Sequence, residues 1–135
     1  MSRQVFINLP VIDLKKSMHY FTELGFSFNM QFSNDEAACM IINEQSYAML
    51  LTHPFFKGFI KNEIADANKT TEVLIALSYE SKEEVDRITE KAIALGAKEA
   101  REKQDLGFMY SRAIHDLDGH IWEIFHMDMN TLPQS

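Results

Sequence analysis

The sequence predicts an α+β protein made of two paired β-α-β-β-β modules, with helices outside curved mixed sheets. A half-chain repeat is the first observation behind this. Residues 4–26 run through an apolar strand, a polar break, an amphipathic helix and Leu24-Gly25, and residues 72–97 run through the same series to Leu95-Gly96. Short strand-like runs follow each Leu-Gly pair. Size is the second. Neither half is large enough to form a good core alone, whereas the whole chain can bury roughly 68% of its unfolded surface as a single domain. The modules, residues 1–53 and 70–129, are joined by segment 54–69. Two such sheets set side by side are expected to enclose a cleft, and function is expected there.

The elements follow in order. Residues 5–9 read as a strand. Asp13 is a plausible N-cap, Leu14, Met18, Phe21 and Leu24 recur at helical spacing, and Gly25 supplies the stop. Residues 27–33, 37–42 and 47–52 read as three short strands split by Asn34-Asp35 and Asn43-Glu44-Gln45. In the second module, residues 72–79 form a strand. Ser81 then caps a helix, with Glu84 at capping-box spacing and Val85, Ile88, Ala92 and Leu95 on the buried face. Strands are expected near 98–101, 109–115 and 120–127, and a frayed tail from 128. Between the modules, Pro54 can open a short helix, and Phe55, Phe56 and Phe59 suit either a flap over the cleft or a contact with a partner subunit.

Composition excludes several function classes. The net charge is −7 and no basic stripe is present, which disfavours nucleic acid. No apolar run approaches the ~20 residues that span a bilayer, so no membrane partner is expected. Cys39 is the only cysteine, so no internal disulfide can form, and the N-terminus shows no signal-peptide pattern; both fit a cytoplasmic protein. Glycine-rich phosphate loops, zinc-finger spacings and serine-hydrolase elbows are absent from the sequence.

The string His115-Asp116-Leu117-Asp118-Gly119-His120-Ile121-Trp122-Glu123-Ile124, together with the repeat and the opening Leu9-Pro10-Val11-Ile12-Asp13-Leu14, resembles the vicinal oxygen chelate superfamily. That group includes glyoxalase I, bleomycin-resistance proteins and extradiol dioxygenases. Leu117 replaces the proline usual in its D-P-D-G stretch. The resemblance implies up to four metal-ligand positions, on the first and last strand of each module. Alignment places Phe6, Leu50, Leu74 and Glu123 there. Only Glu123 carries a donor, and transition metals are normally held by three or more protein ligands. A one-residue slip restores nothing, while a two-residue slip brings in Asn8 or Glu72. No metal or other cofactor is therefore expected, and the lyase chemistry that needs a metal Lewis acid is put in question.

Strand alternation assigns Phe6, Asn8, Glu72, Leu74 and Glu123 to the cleft, leaving Val5, Ile7, Ile75, Trp122 and Ile124 to pack on helices. An apolar floor of Phe6, Leu50 and Leu74 with a few polar groups suits a small amphiphilic ligand. Glu123 could serve as a proton-transfer base, since a carboxylate among apolar side chains has a raised pKa, or as a structural carboxylate bonded to a neighbouring strand or to Arg112. Arg112 binds an anionic ligand group if its strand face is the inner one. His120 and His126 fall on the face opposite Glu123; His19 is expected to be exposed; His53 and His115 could rim the cleft. The segment from Asp116 to Gly119 lacks calcium-loop spacing and reads as a turn in which Asp bonds the backbone and Gly119 takes a positive φ. Cys39 and the scattered methionines read as core.

The expected function is binding of a small amphiphilic molecule by a metal-free homodimer resembling the drug-sequestering members of the superfamily. A glyoxalase-like lyase or isomerase with Glu123 as catalytic base is the alternative, and a non-catalytic structural or regulatory dimer is the third.

Overall fold

The computed structural model of the chain describes residues 3–128 and 130. Most of the tail expected from residue 128 onward lies outside the described residues. The chain divides into two compact units, one ending at Ala65 and the other beginning at Asp66. Segment 54–69 is thus shared between the units instead of forming a separate linker.

The first unit is a four-stranded mixed sheet. Its strands are β1 (Val5–Val11), β2 (Ser27–Asn29), β3 (Ala37–Asn43) and β4 (Ser46–Thr52), in the order β1-β4-β3-β2. β1 and β4 are parallel and the other pairs antiparallel. Helix α1 (Leu14–Glu23) packs on β3 and β4. Asp13 Oδ1 caps it by accepting from Lys16 N at 3.1 Å. Its buried face is Leu14, Ser17, Tyr20 and Phe21. Gly25 ends it with φ +102°, a conformation nearly closed to other residues.

The expected strand over 27–33 is only three residues long. Asn29 Oδ1 accepts from Gln31 N at 3.0 Å and starts a 3-10 turn over Met30–Phe32. An Asx side chain bonding its own backbone two residues on competes with the strand ladder. The short helix α2 (His53–Lys57) packs on β1 and β4, with Pro54 in its first turn. Phe55 and Phe59 meet edge to face at 5.1 Å.

The second unit repeats the plan. Strands β5 (Leu74–Ser78), β6 (Lys98–Asp105), β7 (Met109–His115) and β8 (Ile121–Met127) lie in the order β5-β8-β7-β6. Helix α3 (Lys82–Ala94) covers β7 and β8 and buries Val85, Ile88, Thr89 and Ala92. Ser81 Oγ accepts from Glu84 N at 3.1 Å, while Glu84 Oε2 accepts from Glu80 N at 3.2 Å, one residue outside a regular capping box.

The 116–119 turn is a buried polar hub. Asp116 accepts from the backbone of Asp118 and His120 and from the Trp122 indole N–H, at 2.9, 3.0 and 2.8 Å. Burial pushes its carboxyl pKa up. Gly119 has φ +89°, and a Cβ there would lie 2.6 Å from Asn68 Oδ1 and 2.9 Å from the Ala67 backbone. Glycine is needed for both the turn and the close approach of the 66–70 segment.

Candidate functional site

Each sheet has one face against its helix and one face away from it. The register decides which residues stand on each, because directly paired residues share a face. In the first unit Phe6 pairs with Tyr47, Asn8 with Met49, and Leu9 with Leu50. Leu50 therefore lies on the helix side beside Leu9 and is 1% exposed. This corrects its assignment to the ligand-facing set. The assignment started from sequence position within β4, whereas the parallel register with β1 fixes the face one residue out of phase. The residues beside Phe6 and Asn8 are Tyr47, Met49 and Leu51. Phe6 packs edge-on against Tyr47, with ring centroids 4.7 Å apart, and stays 47% exposed.

In the second unit Leu74, Ala76 and Ser78 share the face away from α3 with Ile121, Glu123 and Phe125. Leu74 is 56% exposed. Glu72 is exposed and precedes β5, so strand alternation does not fix its direction. Arg112 pairs with Ile124 and stands on the α3 face, away from Glu123. There it meets Glu99 at 2.8 Å, Glu90 at 3.1 Å and Asp86 at 3.2 Å. Arg112 is thus a structural cation clamping α3 and β6 to β7, which corrects its placement as a ligand-binding residue. Burial alone would lower its pKa, but the hydrogen bonds it donates to Glu99 and Asp86 outweigh that and raise it. Tyr110 donates to Asp86 at 2.6 Å, and burial together with this bond pushes its phenol up to about 12.

The partner of Glu123 is Arg101, at 2.8 Å from Oε2, and the same Nη2 donates to Ser111 Oγ at 2.8 Å. Sequence reasoning missed Arg101. Simple alternation along β6 puts it on the same face as Glu99, against α3. Instead the ladder passes from Glu99–Ile114 to Arg101–Ala113 with Ala100 as an extra residue, then slips by one again before Gln104–Ser111. These bulges turn Arg101 to the other face. Nothing in the run of long charged residues from Lys98 to Asp105 marks where the ladder slips.

The histidines separate from this pair. His115 Nδ1 lies 3.0 Å from Gly119 O, and His126 Nδ1 2.9 Å from Tyr79 O. His19 is exposed and His53 half-buried at the start of α2. Cys39 is buried and burial raises its thiol pKa.

The donor set does not fit a divalent cation. Phe6 and Leu74 carry no donor, and Glu123 already holds a guanidinium. Among the described residues no three His, Cys, Asp or Glu side chains gather as a metal-holding group.

The family model described as the Glyoxalase/Bleomycin resistance protein/Dioxygenase superfamily matches residues 3–124. Among solved structures, a hypothetical protein from S. aureus is 27% identical, with a TM-score of 0.80 over 93% of this chain and 95% of its own. A glyoxalase/bleomycin resistance protein/dioxygenase family enzyme from Burkholderia phytofirmans is 15% identical, with a TM-score of 0.77 over 93% and 99%. A fosfomycin resistance protein from Listeria monocytogenes is 21% identical, with a TM-score of 0.69 over 96% and 97%. No curated protein matches the chain.

Proposed function

We propose a metal-independent small-molecule-binding role for this chain, which belongs to the Glyoxalase/Bleomycin resistance protein/Dioxygenase superfamily. One observation carries the reading. The sheet faces turned away from the helices keep large apolar side chains partly exposed, Phe6 at 47% and Leu74 at 56%, with the Arg101–Glu123 ion pair on the second. Apolar surface with a few fixed polar groups is what a small amphiphile recognises. Covering one aromatic ring there contributes about 2 kcal/mol. Leu74, Ala76 and Glu123 on the second sheet are the proposed contacts, and Phe6 and Asn8 form a separate patch of the same character on the first. The lyase alternative asks Glu123 to act as a free base, yet its Oε2 is engaged by Arg101.

A thermal-shift screen of aromatic amphiphiles tests this. Hits that stabilise the wild-type protein by mass action should lose at least most of that effect in Leu74→Arg, whose side chain starts from an exposed position and so should not disturb folding. Hits that stabilise Leu74→Arg as strongly as wild type would remove this face from consideration.

A further inference from the structure

We infer that Arg101, Glu123 and Ser111 form a recognition centre for an uncharged group carrying a hydrogen-bond acceptor beside a donor, of the carboxamide type, on an apolar body. This rests on the small-molecule reading of the same face.

The geometry has three parts. A row crosses the sheet in register: Ala76 on β5, Glu123 on β8, Ala113 on β7 and Arg101 on β6. Alanine on both sides of Glu123 leaves room above the carboxylate. Arg101 reaches over Ala113 to meet Glu123 and Ser111 at 2.8 Å each. Finally, β6 slips register on both sides of Arg101, and those slips are what bring it to this face. Bulges that re-aim one side chain recur beside functional sites. The α3 side does not need Arg101, because Arg112 and Tyr110 already tie β7 to that helix.

The pair keeps hydrogen-bonding capacity. A guanidinium has five N–H groups. Those of Arg101 serve Ser111 and Glu123 through Nη2 and the Glu102 carbonyl through Nη1. Among the described residues, Nε–H and the second Nη1–H make no hydrogen bond, and neither does Glu123 Oε1. The side chains are 31% and 25% exposed, so a ligand can reach both.

Charge then selects the ligand. A carboxylate would gain the guanidinium but meet Glu123, and an ammonium would gain Glu123 but meet the guanidinium. A carboxamide offers its oxygen to Arg101 and its N–H to Glu123 Oε1, and repels neither. The pair as a whole carries no net charge, so a carboxamide exchanges its hydrogen bonds to water for bonds to both partners without meeting a like charge.

The test uses three probes with one aromatic body: phenylacetamide, phenylacetate and phenethylamine. Each is titrated into wild type, Arg101→Met and Glu123→Gln at neutral pH, following the methyl resonances of Ala76 and Ala113, with circular dichroism melts confirming that each variant is folded. The amide should bind wild type tightest. Arg101→Met should favour phenethylamine and Glu123→Gln should favour phenylacetate, each by about tenfold relative to wild type, the worth of one hydrogen bond to a charged group. The same order of affinity in all three proteins would overturn the recognition centre while leaving the binding face intact. No response from either methyl to any probe would overturn the face itself and the centre with it. Should either variant fail to fold, Arg101→Lys keeps a cation with fewer donors; it should weaken the amide while leaving phenethylamine the poorest ligand, and unchanged amide binding would count against the proposal.

Discussion

Replacing Arg112 by methionine tests the reassignment of that residue from ligand contact to structural clamp. The Arg112 side chain is 12% exposed, while those of its partners Asp86, Glu99 and Glu90 are 47%, 41% and 62% exposed. Removing one partner of a fully buried pair costs about 3–5 kcal/mol, chiefly because a buried charge is left behind. Here the stranded charges are carboxylates that water already reaches, so part of that cost is recovered. Methionine also keeps much of the aliphatic packing of the arginine stem. What remains is the loss of charged hydrogen bonds across three elements and the repulsion among three carboxylates, which together come to roughly 2–3 kcal/mol. For a domain of this size that lowers Tm by about 6–15 °C. Urea denaturation followed by Trp122 fluorescence should show a lower midpoint at unchanged slope. Arg112→Lys should recover only part of the loss, because a compact ammonium lacks the wide planar fork with which the guanidinium spans Asp86, Glu90 and Glu99. Binding of small amphiphiles by the folded Met variant should be unchanged. A melting curve that superimposes on wild type would show that the clamp contributes nothing, and selective loss of ligand binding without loss of stability would return Arg112 to the site.

Other expectations follow from the same geometry. Asp116→Ala strands two backbone N–H groups and the Trp122 indole N–H in a buried turn, and should cost about 2–4 kcal/mol by denaturant titration. The sign of its pH dependence is fixed: burial raises the carboxyl pKa in the folded state, so the stability Asp116 contributes is fullest below the ordinary aspartate value and declines as pH rises through the folded one. The gap between wild type and variant should therefore narrow toward neutral pH, and a widening gap would contradict the direction. Gly119→Ala combines a positive φ with a 2.6 Å approach to Asn68 Oδ1, and should destabilise by about 1–3 kcal/mol. Protein dialysed against zinc or nickel should retain much less than one equivalent by elemental analysis, since Glu123 alone cannot hold the ion. Light scattering is expected to give the mass of a homodimer, with exposed Ile12 and Phe59 as the apolar surface to be covered; a concentration-independent monomer mass would refute this.

The fold was legible because it is written twice in strong signals. Asp13 and Ser81 cap their helices as their positions implied, and Gly25 and Gly96 take the positive φ that each Leu-Gly stop suggested. Asp116 and Gly119 build the turn their types predicted, for the same local reason: an Asx side chain and a glycine act on their own neighbours. The face on which each candidate residue stands was legible only where alternation held. Phe6, Asn8, Leu74 and Glu123 fall on one face of their own sheets as a period of two requires. Leu50 does not, because the face of a parallel strand is set by its register with a partner more than forty positions away, and nothing inside β4 states that register. Arg101 was invisible for a related reason. Its direction depends on two register slips in β6, and a bulge needs no special residue when the extra position is an alanine. Glu123 thus had its partner correctly anticipated in kind, a cation on the same sheet, but with the wrong arginine. Arg112 and Arg101 are both intermediate in exposure and both paired with acids. Only the pairing of β6 with β7 tells which one meets α3 and which one meets the carboxylate of β8. That exchange changes the chemistry expected of the face: Glu123 with Arg112 elsewhere and no counter-charge would draw cations, whereas Glu123 bonded to Arg101 presents a neutral donor–acceptor pair.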